Sequence, residues 1–195
     1  GYSVGKWVEE MISTGHPSFY KIERGQKLCY DPASKTYKPL PGGEAFLVMS
    51  NYQDKLVWKN GSCKLYHLGD DVLGLQWFTK RGSIGGDVLS GIQTAIDKAE
   101  KNYKGLVIAN EGANFSAGAN VGMIFMLAIE QDYDEIDMAI RLFQNTMMRA
   151  RYSSVPVVTA PHGLALGGAC ELSLHSDKCC PAAETYTGLV ELGVG

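Results

Sequence analysis

The chain has 195 residues, 45% of them hydrophobic and 20% charged, with a formal net charge of -3. That composition leaves room for one good core plus an appendage. A slightly acidic chain whose Lys/Arg runs never exceed two carries no electrostatic footprint for nucleic acid or an anionic membrane surface, so a small molecule or a protein is the expected partner.

The N-terminal stretch lacks the basic and apolar regions of a signal peptide. Its one helical pattern is "VGKWVEEMIST", in which Val4, Trp7, Val8 and Met11 share a face. Proline-rich "YDPASKTYKPLPGG" follows, and Pro39, Pro41, Gly42 and Gly43 read as a linker. Residues 1–43 therefore look like a tail. Beyond them "AFLVMS", "CKLYHL" and "VLGLQWFT" are rich in aliphatic, aromatic and β-branched residues and predict strands. Asp87 is placed to cap a helix with the stripe Val88, Ile92, Ile96 and Ala99. "GLVIA" from Gly105 predicts a strand buried on both faces.

Next comes a glycine-rich turn, "EGANFSAGAN", leading into "VGMIFMLAIEQ", whose apolar run is about half of the roughly 20 residues a membrane span needs. Ile136, Ile140, Phe143 and Met147 then mark an amphipathic helix. "PVVTAP" predicts a second buried strand, and "ALGGACELSLHSD" a loop entering a helix. Strand, glycine-rich loop and helix thus recur at 105–130 and 156–176, the order of an α/β protein with sites at its strand ends.

Two features carry possible chemistry. In "SAGAN" and "ALGGA" small residues lie between a strand and a helix, where first-turn N–H groups are unpaired and can hold an oxyanion; the same glycines would also serve simple close packing. Two acids, Glu171 and Glu191, sit in apolar surroundings, which would raise a carboxyl pKa toward the range useful for proton transfer. An exposed edge position is the alternative for each. The five cysteines (Cys29, Cys63, Cys170, Cys179, Cys180) are odd in number without a C-x-x-C pair, which fits a reducing cytoplasm, and none has a histidine partner by spacing. His16, His67, His162 and His175 show no metal-ligand spacing, so no metal is expected. Nucleophile-elbow, dinucleotide and Walker motifs are missing as well.

In "NFSAGAN", "HGLALGGACELSLHSD" and "TGLVELGVG", the stretch from about Leu68 to Gly195 resembles the enoyl-CoA hydratase/isomerase, or crotonase, family. The resemblance implies an α/β spiral of repeated strand-strand-helix units that binds acyl-CoA thioesters. It implies oxyanion-hole N–H groups at Ala119 and Gly168, substrate contacts along Ser116, Ala117, Gly118, Asn120 and Gly167, and catalytic acids at Glu171 and Glu191. Both acids present favours hydration of a trans-2-enoyl-CoA over Δ3,Δ2-enoyl-CoA isomerisation, which needs one base; an inactive acyl-CoA-binding fragment is a further alternative. The chain departs from the family in having Asn120 where Asp is usual and Ala169 where Gly is usual. It also ends before the family's last helices, so it is expected to be truncated.

Residues 1–58 resemble the end of a 3-hydroxyacyl-CoA dehydrogenase C-terminal domain with its linker, leaving 59–195 as the incomplete hydratase core. The implied parent is a bifunctional dehydrogenase/hydratase of fatty-acid β-oxidation. NAD would be used only in the upstream half, and no cofactor would be bound covalently here. A cytoplasmic, trimer-type homo-oligomer without nucleic-acid or membrane partners is implied.

Overall fold

The computed structural model describes residues 3–23, 26–43, 47–190 and 193. The chain divides into two compact units, Gly1–Asp54 and Lys55–Gly195.

The first unit has more structure than a tail. Helix α1 (Lys6–Ser13) precedes an antiparallel sheet of β1 (Tyr20–Glu23), β2 (Gln26–Asp31) and β3 (Thr36–Pro39), with β2 central. The β2–β3 turn is held by Asp31, whose carboxylate accepts bonds from the Ala33 N–H (3.1 Å) and the Ser34 hydroxyl (2.7 Å). Met11, Tyr30 and Met49 are its buried apolar side chains. Over the described residues of "AFLVMS" the expected strand does not form. Residues 45 and 46 lie outside the described residues, 47 and 48 are irregular, and Met49–Lys55 is a 3-10 helix. High strand propensity does not suffice where no neighbouring strand supplies a ladder.

In the second unit a six-stranded sheet runs β10-β8-β7-β6-β5-β4. Strands β4 (Leu56–Lys59), β5 (Cys63–Gly69) and β6 (Val72–Trp77) form an antiparallel meander, whereas β6, β7 (Gly105–Ile108), β8 (Val157–Thr159) and β10 (Lys178–Cys179) are parallel neighbours. Asp70 and Asp71, both at positive φ, make the two-residue β5–β6 hairpin loop. Central β6 is buried from Leu73 through Trp77.

Helix α2 (Gly86–Asn102) lays Val88, Ile92, Ile96 and Ala99, all fully buried, into the core with Leu73, Leu75 and Leu106, as the sequence stripe predicts. Asp87 does not cap it. Gly85 is the N-cap, and Asp87 in the first turn instead accepts the Asn60 side-chain amide on its carbonyl (2.8 Å) and the Ser62 hydroxyl on its carboxylate (3.3 Å), tying the β4–β5 turn to the helix.

After β7 come α3 (Val121–Ile129) and α4 (Tyr133–Arg151). None of α3 is buried, and only the C-terminal half of α4 packs inward, through Thr146, Met147 and Ala150; Ile140 of the expected stripe is 44% exposed. After β8 come β9 (Leu164–Leu166) and α5 (Gly168–His175); after β10 comes β11 (Tyr186–Gly188). Strand β9 pairs with β11 and bridges to Ser116. The β8 and β10 turns of the chain thus each add one strand to the main sheet and one short strand to a second layer, which the β7 turn joins through the single bridge at Ser116, giving a spiral of strand-strand-helix units. No helix of the described residues is long and apolar enough to cross a membrane.

Candidate active site

Asn110 follows β7 and is almost wholly buried. Its Oδ1 accepts the Trp77 N–H (2.9 Å) and its Nδ2 donates to the Phe115 carbonyl (2.7 Å), clamping the end of β6 to the middle of the glycine-rich turn. A buried amide with both ends satisfied holds geometry firmly. Phe115 packs its ring edge-on against Trp77, with centroids 5.5 Å apart.

From there the N–H groups can be followed one by one. Ser116 donates to the Leu164 carbonyl (3.0 Å), Ala117 to Arg81 (3.1 Å), Gly118 to the Ser116 hydroxyl (3.0 Å), Asn120 to Ile84 (3.3 Å) and Val121 to Ala119 (3.0 Å). Among the described residues the Ala119 N–H has no acceptor. The reason is topological. Residue Ile84 bridges Ala119 in parallel, donating to the Gly118 carbonyl (2.8 Å) and accepting from Asn120, and a residue flanked this way turns its own N–H away from that partner.

A second set of free donors lies on the next turn of the spiral. The Gly167 N–H is taken by the Gly188 carbonyl (2.9 Å), and Glu171 closes the first helical bond to Gly167 (3.0 Å). Gly168, Ala169 and Cys170 occupy the first turn of α5, and among the described residues their N–H groups have no acceptor, as helix geometry requires where no side chain caps.

The two turns touch. Gly118, at φ +91°, lies so close to β9 that an added Cβ would stand 2.6 Å from the Leu166 carbonyl oxygen and 3.2 Å from the Gly168 nitrogen. Only glycine meets both the positive φ and the contact. Two unpaired N–H groups on adjoining turns, Ala119 and Gly168, are chemically suited to an oxygen that gains negative charge.

The expected site residues occupy distinct environments. Gly118, Gly167 and Gly168 are buried, Ala119 is half-buried, and Ala117 and Asn120 are exposed. Ser116 is fully buried, its hydroxyl engaged by the Gly118 N–H. Glu171 stands in the first turn of α5, half-buried between buried Cys170 and Leu172, its carboxylate without a partner among the described residues. Glu191 lies outside the described residues.

Sequence reading missed Asn110, whose only signal is a polar residue directly after a buried strand, and Phe143 on α4, whose ring end meets Gly168. The Cys63 thiol is buried and pushed up to about 12, first by burial and then by nearby Asp87, which leaves it unreactive near neutrality. Among the described residues no group of three or more His, Cys, Asp or Glu side chains is arranged to hold a metal.

This architecture is close to that of an enoyl-CoA hydratase from Polaromonas sp. JS666, with a TM-score of 0.64 and 25% identity over 69% of this chain and 53% of that one. The chain carries the crotonase fold. The resemblance to the enoyl-CoA hydratase/isomerase family stated from the three motifs is thereby borne out. No protein-family model matches the chain. Along its entire length it is 39% identical to a Bacillus subtilis (strain 168) protein named "Probable 3-hydroxyacyl-CoA dehydrogenase", of which it spans 25%. It is also 32% identical, over 50% of its length, to 14% of the "Fatty acid oxidation complex subunit alpha" of Shewanella amazonensis (strain ATCC BAA-1098 / SB2B). The chain therefore spans a quarter or less of these two relatives and about half of the solved hydratase.

Proposed function

We propose that this crotonase-fold chain is the core of an enoyl-CoA hydratase that adds water to a trans-2-enoyl-CoA in fatty-acid β-oxidation, within a larger protein that also carries a 3-hydroxyacyl-CoA dehydrogenase. The observation that carries this reading is the pair of unpaired N–H groups, Ala119 and Gly168, on turns in direct contact. The relatives named for 3-hydroxyacyl-CoA dehydrogenase and the fatty acid oxidation complex support the setting.

The thioester carbonyl oxygen lies between the two donors. Water oxygen bonds to C3 while the C2–C3 π pair moves toward the carbonyl, giving an enolate whose negative oxygen the two N–H groups stabilise more than they stabilise the neutral ground state. The enolate collapses as C2 takes a proton. One acid of the pair Glu171 and Glu191 removes a proton from the attacking water, and the other supplies the proton to C2, so that the net change is one water gained. Ser116, Ala117, Gly118, Asn120 and Gly167 line or shape the thioester site. The first unit, within residues 1–58, is the end of the dehydrogenase part, and NAD serves only that part. The complete protein is a cytoplasmic homo-oligomer of trimer type.

Glu171→Gln and Glu191→Gln, each made in the longest polypeptide that carries this sequence, are expected to lower hydration of crotonyl-CoA at least about 100-fold, the general acid/base contribution. Rates within a few-fold of wild type in both variants would falsify the assignment.

A further inference from the structure

Gly167 and Gly168 are consecutive glycines, the residues with the most backbone freedom, at the point where the proposed site needs a fixed N–H. Gly167 is anchored by its bonds to Gly188 and Glu171, but the Gly168 N–H is bound to nothing among the described residues. The carbonyl of the same peptide, on Gly167, accepts the Glu171 N–H (3.0 Å), and packing against Gly168 supplies the rest of what holds it. Gly168 lies against both the Gly118 turn and the ring of Phe143. A Cβ built on Gly168 would stand 2.4 Å from Phe143 Cζ and 3.0 and 3.4 Å from the two Cε atoms, so the ring points end-on into the space where a side chain would be. Gly168 is buried and Phe143 half-buried, and α4 and α5 pack along this contact.

Resting on the hydratase reading above, we propose that Phe143 is a positioning residue: its ring tip wedges the Gly168 backbone between α4 and the Gly118 turn, fixing the direction of the N–H that meets the thioester oxygen. The phenyl ring has no hydrogen-bonding group to offer Gly168, so its effect falls on how well the donor is aimed. A misaimed donor weakens stabilisation of the enolate more than it weakens ground-state binding.

The test measures crotonyl-CoA hydration by the longest polypeptide that carries this sequence, with thermal unfolding of each variant as a control. F143A is expected to lower kcat about tenfold, part of the 10²–10³ lost when such a donor is removed outright, while KM stays within about threefold. F143L, which keeps the stem and loses the tip, should fall between F143A and wild type, and it provides the reading if F143A does not fold. G168A should be strongly impaired, because its Cβ meets the ring, and F143L/G168A should recover part of that loss. Retained kcat in both Phe143 variants, a loss confined to KM, or a double variant no better than G168A would overturn the proposal while leaving the hydratase reading standing. A wild-type protein that does not hydrate crotonyl-CoA overturns both.

Discussion

Gly118 and Gly168, fifty residues apart in the chain, lie against each other, the Cβ position of the first 3.2 Å from the backbone nitrogen of the second. Gly118 belongs to the turn that leaves the Ala119 N–H unpaired and Gly168 opens the helical turn whose first three N–H groups are unpaired among the described residues, and the two turns could not approach this closely if position 118 bore a side chain. The contact brings together two donors that belong to separate strand-strand-helix units.

Gly118→Ala tests that contact. The new methyl would stand 2.6 Å from the Leu166 carbonyl at a φ of +91°, so the turn must shift. A stability loss of about 1–3 kcal/mol is expected from the backbone strain, together with a fall in the proposed hydration of crotonyl-CoA. Denaturant unfolding and a rate assay read both. An alanine variant as stable and active as wild type would show that the turn tolerates a side chain.

Asn110→Leu should be costlier. It leaves the Trp77 N–H and the Phe115 carbonyl, which Asn110 now satisfies, buried without partners. A loss of about 2–4 kcal/mol is expected for two such groups. Asn110→Asp keeps an acceptor for Trp77 but turns an oxygen toward the Phe115 carbonyl, so it should be destabilised as well. If urea midpoints of both variants match wild type, the amide is not the clamp described.

Helix α4 is tied to α2 by Arg149, which donates to Glu100 Oε1 (2.8 Å) and Asp97 Oδ1 (2.9 Å) and makes a second bond to Glu100. The Arg149 hydrogen bonds, then the Ser154 N–H, lower the Glu100 carboxyl to about 2 from its ordinary 4.5. Because the folded-state value is depressed, its stabilisation is fully present above about pH 4.5 and is lost as pH falls toward 2. Glu100→Gln should therefore cost about 1–3 kcal/mol at pH 6, with the difference from wild type shrinking across that window. A difference that stays constant from pH 6 to pH 3 would refute the linkage.

Local composition and pattern located α2 by its stripe, β5 and β6 by their aliphatic and aromatic residues, and β7 and β8 by short apolar runs between turn residues, because those side chains meet the core wherever the element is placed. It failed at "AFLVMS", where a strand also needs a neighbour. It also credited α4 with one continuous inward face, although Ile140 is exposed and only the later turns pack. The glycine-rich turns and Glu171 were visible as motifs, whereas Asn110 and Phe143 were not, since each matters through a partner that is distant in the chain.

Composition and stripes by themselves determined an α/β chain with glycine-rich turns at its strand ends, and the resemblance carried by the three glycine-bearing motifs implied the crotonase kind. Which N–H groups stay unpaired was decided only in three dimensions. Among the described residues Ala119 is left free because Arg81, the Ser116 hydroxyl and Ile84 take up the N–H groups beside it, and Gly168 because it opens a helix that no side chain caps. Local sequence sets the supply of backbone donors. Non-local pairing subtracts most of them, and the remainder is the candidate site.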